Sequence, residues 1–480
     1  MKRFWLVFLS VGLIMAFSVS AFAVDVKVSG EYYAAGMYLN GTTFLKDDGV
    51  YENPLTKQVF VGSPSTAFFY QRLRIETDFI VSPSLKLVTR FNALERIWGG
   101  QRSEPGGPTD TQSAATRAEN ENIGFDWAYI EYVSPIGMFD VGYMDDGGWG
   151  TIFGDSSVPR GIVSWAAEKG PWTAFFQIVK INDNSKSAVT TSTTVTDNDT
   201  DKYQGGGIYK WKGGEAGLLA IYYRDASNRP ITGPGYDYGV TGNIYVLQPY
   251  AIVNIGPVKL QAEVDYAWGS IKADGPSPSI VTDGNDLKVD NLAGWVDATV
   301  NLKQFYFGGS VAYVAGNDWH KFYSDGTVKG GFLTGGMDWN PTLILFNNER
   351  NYWGGPILGN NITSTQMNFL GSQFNLNDNG MYNAWFLQGR AGIRPTDKLD
   401  IVASISYAWA DSKTLPVGPD AVSATYGTEI DLTGTYKITN NLTYMLGAAY
   451  LFTGDYFKGT NGTNKVDDDY LFINKLTLSF

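Results

Sequence analysis

The stretch Phe69-Tyr70-Gln71-Arg72-Leu73-Arg74-Ile75-Glu76-Thr77-Asp78-Phe79-Ile80-Val81 decides the fold. Phe69, Leu73, Ile75, Phe79 and Val81 fall on one side of a two-residue repeat, and Tyr70, Arg72, Arg74, Glu76 and Asp78 on the other. Side chains alternate in this way along a β-strand, whereas a helix brings residues three and four apart onto one face. The pattern returns at 258–268, where Val258, Leu260, Ala262, Val264, Tyr266 and Trp268 oppose Lys259, Gln261, Glu263 and Asp265. It returns again at 399–409, with Leu399, Ile401, Ala403, Ile405, Tyr407 and Trp409 on one face. Further segments of this kind, the first near Val26 and the last near Asp468, bring the predicted total to about 18 strands, each long enough to cross a bilayer when tilted.

The connections between these segments alternate in length. Short links such as Ser82-Pro83-Ser84, Gly170-Pro171, Gly213-Gly214-Glu215, Gly256-Pro257 and Thr439-Asn440-Asn441 suit tight reversals. Between them fall long polar links at 40–65, 99–120, 145–160, 184–202, 226–241, 271–287, 315–380, 411–424 and 456–467. Short turns on one rim and long loops on the other predict an all-β fold, a closed antiparallel transmembrane β-barrel of about 18 strands with short periplasmic turns and long extracellular loops. Lipid offers no partner for backbone N–H and C=O groups, so a spanning sheet must close on itself. Its outer face is then apolar, with aromatic girdles near the headgroups, for which Trp127, Tyr129, Tyr266, Trp268, Trp385, Tyr407, Trp409, Tyr444, Tyr450 and Phe452 are candidates.

Composition narrows the function. The 480 residues include no cysteine and one histidine, His320, which excludes a disulfide framework and a His/Cys metal cluster; no cofactor is expected. With 36 basic against 48 acidic residues the chain carries −12, so nucleic acid is excluded as a partner. Lys2 and Arg3, an apolar run from Phe4, and Ala21-Phe22-Ala23 predict a cleaved secretory leader over 1–23 and a barrel domain over 24–480. Nothing around His320 has the form of a nucleophile elbow, so no enzymatic activity is expected. The acidic runs at 197–201 and 467–469 read as solvated loop tips, with calcium binding as the alternative.

Residues opposite the apolar faces line the interior. By parity Arg72, Arg74, Lys86, Arg90 and Arg96 form a basic wall, joined from the other half of the chain by Arg390 and Arg394. Fixed charges in a narrow lumen select ions and align dipolar solutes; paired, they hold the wall together instead. The link 145–160 carries Asp145, Asp146 and Asp155 amid glycines and aromatics, an unusual composition for a solvated loop.

At this point the chain resembles the bacterial porins, in which the third long loop folds into the pore. The resemblance implies that Asp145, Asp146 and Asp155 face Arg72, Arg74, Arg90 and Arg96 across a constriction. It covers the chain after residue 23 through layout more than motif, and looks closest to porin-like families of sulfate- or metal-reducing bacteria, which include homotrimers. The terminal Phe480, with Phe472, Leu476 and Leu478 on its face, is similar to the signal that the outer-membrane assembly machinery recognises. Gly427-Thr428-Glu429-Ile430-Asp431-Leu432-Thr433 through Gly454-Asp455-Tyr456 is similar to the last strands of the alginate-export family. The expected function is therefore an outer-membrane porin for passive diffusion of small hydrophilic solutes, surrounded by lipid and lipopolysaccharide. The alternatives are an exporter of an acidic polysaccharide and a structural or adhesive barrel with a plugged lumen.

The segment 315–380 is too long for a structureless link. Phe332-Leu333 and Leu343-Ile344-Leu345-Phe346 are apolar enough to pair as a hairpin above the rim or to add two strands, while Trp319, Trp339, Tyr352 and Trp353 read as packing the loop on itself.

Overall fold

The computed structural model describes residues 24–480 apart from 47–49, 53–58, 62–63, 100–122, 157, 184–197, 229–238, 275–285, 356–379, 415–418, 460–461 and 463. The leader expected over 1–23 lies outside the described residues, as does Asp197.

Eighteen strands form the barrel. The first six are β1 (Asp25–Leu39), β2 (Thr66–Ser82), β3 (Leu85–Ile97), β4 (Ile123–Ser134), β5 (Gly137–Asp145) and β6 (Pro159–Lys169). They are followed by β7 (Trp172–Asn182), β8 (Thr200–Trp211), β9 (Gly214–Asn228), β10 (Gly239–Ile255), β11 (Val258–Asp274) and β12 (Leu287–Leu302). The last six are β13 (Phe305–Val314), β14 (Ala384–Thr396), β15 (Leu399–Ala410), β16 (Thr425–Lys437), β17 (Leu442–Thr453) and β18 (Asp469–Ser479). Each pairs antiparallel with its neighbours in sequence, and β1 pairs with both β2 and β18, which closes the sheet. The number of spanning strands is the expected one; among the described residues of 315–380 only the two-residue Thr327–Val328 joins the sheet, beside β12.

The closing seam is built at its short-turn end by Gly30 and Phe480, which exchange backbone hydrogen bonds of 2.8 and 3.0 Å. A Cβ on Gly30 would lie 2.8 Å from the Phe480 ring, so the absent side chain is what lets the ring lie on the neighbouring strand. Outward positions are apolar on strand after strand: Ile130, Val163, Leu218, Val296, Ile405 and Leu446 are about half exposed. A water-soluble chain does not leave an apolar band of this extent uncovered; lipid covers it. Rings gather at both edges of the band. Trp172, Tyr209 and Trp211 stack beside the short turns, and Tyr203, Tyr222, Tyr245 and Trp268 form a stacked row toward the long loops.

Two of the girdle candidates face the other way. Between Arg90 and Phe91 the β3–β4 register shifts by one residue, leaving Asp126 unpaired. Such a bulge exchanges inside for outside beyond it. Phe125 therefore points out, while Trp127 and Tyr129 turn into the lumen, Trp127 beneath the Arg90 guanidinium at 3.4 Å from the ring centre.

The described part of 315–380 corrects the expectation of a hairpin above the rim. Residues 315–355 and 380–383 fold into the barrel as two short helices, α1 (Trp319–Asp325) and α2 (Asn348–Gly354), joined by a two-residue strand, Thr327–Val328, parallel to Lys288–Val289 of β12, and then by irregular backbone. Ile344, Phe346, Trp339 and Trp353 pack against Leu39, Leu287, Trp295 and Phe386 of the inner wall, all at most 6% exposed. The run that looked strand-like is apolar because it fills the lumen. Trp319 is likewise buried, whereas Tyr352 is exposed.

Candidate lumenal site

Two inward-facing glutamates hold the loops that fill the lumen. Glu263 on β11 receives the backbone N–H and the hydroxyl of Thr151, at 2.6 and 2.5 Å from Oε2. The surrounding glycines explain the composition of this link: a Cβ on Gly154 would stand 2.2 Å from Glu263 Oε1, and one on Gly150 2.6 Å from Oε2. Around that anchor Trp149 packs edge-on to Tyr250 and Phe153 stacks on Trp295. On the other side, Glu429 on β16 accepts the backbone N–H groups of Leu343, Ile344 and Leu345 at 3.1, 2.7 and 2.8 Å. The two loops also join each other, since Gly336 N donates to Phe153 O, Asp338 N to Asp155 O and Met337 N to Ser156 Oγ.

Arg350 of α2 ties the second segment to the rim. It is fully buried, and its guanidinium donates to the carbonyls of Gly355 and Thr42 at 2.7 and 3.1 Å. Burial pulls its pKa down to about 10, the Asp469 and Glu429 carboxylates opposing the drop.

The sequence-predicted basic residues are paired. Arg72 lies 3.7 Å from Glu31 and 3.8 Å from Glu95; Arg74 and Arg90 share Asp126 at 3.5 and 3.1 Å. Lys86 contacts Asp78 and Glu131, Arg390 contacts Asp297 at 2.6 Å, and Arg394 contacts Asp400 at 2.9 Å. Arg96 does not join the Arg72–Arg74 ladder. A bulge at Leu94, whose φ is 51°, brings it opposite Gln71, whose side chain bonds Tyr32 and Trp98.

The three acids of the link also separate. Asp146 is bound by Lys202 of β8, Asp145 is within electrostatic reach of Arg90, and Asp155 lies beside Asp338. Among the acidic runs, Asp199 and Asp201 hold Lys180, while Asp468 accepts from Tyr450 and Thr453. His320 Nε2 lies 3.0 Å from Asp420 Oδ1 on the loop surface.

Behind the link, against β5–β11, a cavity of about 470 Å³ remains. One register row of the sheet, Asp140–Ser164–Gln177–Gln204, supplies part of its polar wall. Gln177 donates to Ser164 at 3.2 Å and accepts from Gln204.

No protein-family model and no curated protein matches this chain. Among solved structures it is similar to OpdQ of Pseudomonas aeruginosa, at 12% identity and a TM-score of 0.47, over 96% of this chain and 100% of that one. It is similar to a BenF-like porin from Pseudomonas fluorescens Pf-5 at 11% identity and a TM-score of 0.47, over 95% and 99% of the two chains. An anion-selective porin from Comamonas acidovorans matches at 10% identity and a TM-score of 0.41, again over 95% and 99%.

Proposed function

We propose that the protein is an outer-membrane porin that lets small hydrophilic solutes and ions cross passively. The observation that carries this reading is the polar, loop-bounded cavity inside a closed barrel whose outer wall is apolar. In this reading the link 145–160 is the constricting element, and selection rests on its size and on the charges facing it. Export after loss of the 1–23 leader, insertion through the assembly machinery by way of Phe480, contact of the long loops with lipopolysaccharide, and a homotrimeric state belong to the same proposal. The test is conductance of the purified protein in a planar bilayer. Open ohmic current is the expected result, and a persistent absence of current overturns it.

The plugged barrel is the second reading, favoured by the apolar packing of 315–355 against the inner wall. It predicts silence in the same bilayer. Export of an acidic polysaccharide needs cationic side chains free to meet it. The carboxylates within 4 Å of Arg72, Arg74, Arg90, Arg390 and Arg394 leave little charge for that task.

A further inference from the structure

The cavity behind the link 145–160 carries more negative charge than its own cations neutralise. Four carboxylates line it, Asp140, Asp145, Asp146 and Asp265, against Arg160 and Lys202. Lys202 is taken up by Asp146. Arg160 donates to the carbonyl of Ile181 at 3.3 Å. Two negative charges are left over in the cavity, and among the described residues Asp140, Asp145 and Asp265 form no ion pair within 4 Å; Lys86 and Arg90 act on Asp140 and Asp145 only at longer range. Asp140 Oδ1 and Asp145 Oδ1 are buried and have no hydrogen-bond partner among the described residues. Asp265 is 2% exposed and receives one hydrogen bond, from Gln248 at 2.9 Å. Taking a carboxylate out of water without a partner is costly, so these oxygens favour any solute that brings donors and positive charge.

The remaining lining narrows the kind of cation. The carboxylates stand on strands as far apart as β5 and β11, so they do not converge as the six to eight oxygens of a calcium site would. Trp149 and Phe175, 5.5 Å apart, present aromatic surface to the same space. Aromatic faces attract ammonium groups and cover short alkyl chains. A volume of about 470 Å³ admits a molecule of a few carbons with its hydration.

We propose that this cavity is a binding site for a small organic cation, an alkylammonium, and that the porin favours such solutes. The proposal rests on the channel reading for its transport consequence, while the binding itself is separable. The experiment uses the full-length purified protein at pH 8 and three isosteric probes: n-butylammonium, n-butanol and butyrate. Butylammonium is expected to reduce the open current in a concentration-dependent way, with butanol and butyrate inactive at the same concentrations. Combining Asp140→Asn with Asp145→Asn should raise the half-blocking concentration about tenfold, the size expected for losing a charge-assisted hydrogen bond. Trp149→Leu should raise it about threefold.

Calorimetric titration of the micellar protein with butylammonium reads the site without conduction, and heat-modifiable gel mobility shows whether each variant has folded. Absence of current together with calorimetric binding removes the channel reading and keeps the site. Normal current with no block and no heat overturns the proposal, as does block by butyrate equal to that by butylammonium. Equal block of wild type and a folded double variant overturns it too.

Discussion

Glu429 Oε2 accepts the backbone N–H of Leu345 at 2.8 Å, and its other oxygen accepts those of Ile344 and Leu343. One side chain from the wall thus satisfies three successive donors that an irregular segment inside a barrel could not leave bare. Replacement of Glu429 by Ala strands these donors at about 1–3 kcal/mol each. The expected outcome is release of 315–355 from the wall and a rise in single-channel conductance, with Glu429→Gln intermediate because it keeps one acceptor oxygen. Identical conductance in all three proteins would mean that the segment does not narrow the path.

The anchor of the other loop predicts a graded series. Thr151→Val removes the hydroxyl bond to Glu263 and keeps the backbone one, whereas Glu263→Leu removes both. Current noise from loop motion should rise in that order. Gly154→Ala places a methyl 2.2 Å from Glu263 Oε1, which must give way, and should behave like the leucine variant. A quiet Gly154→Ala channel would contradict the close approach.

The strands were legible because alternation is a direct imprint of a sheet with lipid on one side and the lumen on the other. Segments expected to begin near Leu85, Trp172, Thr425 and Leu442 begin there. Trp127 and Arg96 were misplaced because parity counting cannot see a bulge, and each sits beyond one. Leu343 to Phe346 reads as a continuous apolar run, a pattern shared by strands and by any buried segment. Glu263 was recognisable as inward-facing, but its partner lies 112 residues away and those of Glu429 lie 84–86 away, and no local signal names a contact of that span. The arginines were seen; the acids that offset them come from neighbouring strands whose register only the structure supplies.

That pairing gives the basic wall a definite response to charge reversal. Arg72→Glu with Arg74→Glu leaves Glu31 and Glu95 without the arginine they now pair with and Asp126 with Arg90 alone. The reversal potential in a salt gradient should move toward cation preference. An unmoved potential would place these residues away from the ion path.

Deletion of Phe480 removes two backbone hydrogen bonds and the ring that covers Gly30 at the closing seam. The expected outcome is a lower yield of heat-modifiable, folded barrel, with Phe480→Ala less affected because its backbone pair survives. Equal folded yields for wild type and the deletion would assign the seam's stability to the rest of the β1–β18 pairing.

Asp155 makes the loop contact sensitive to pH. Burial, and then repulsion by Asp338, hold its carboxyl above the usual carboxylate range, although the Ser156 backbone N–H works the other way. A carboxyl that binds its proton more tightly in the folded state stabilises the docked loop while protonated and loses that advantage as pH rises through the folded-state value. Docking of the link onto the 336–338 segment should therefore be firmest in acid, and channel noise should increase as pH rises from the ordinary carboxylate range toward neutrality. Asp155→Asn, which cannot ionise, should be quiet across the same interval. Its carbonyl still accepts the Asp338 N–H, so the backbone contact is kept. If wild type and Asp155→Asn respond to pH alike, the titrating group lies elsewhere and Asp155 has no part in holding the loop.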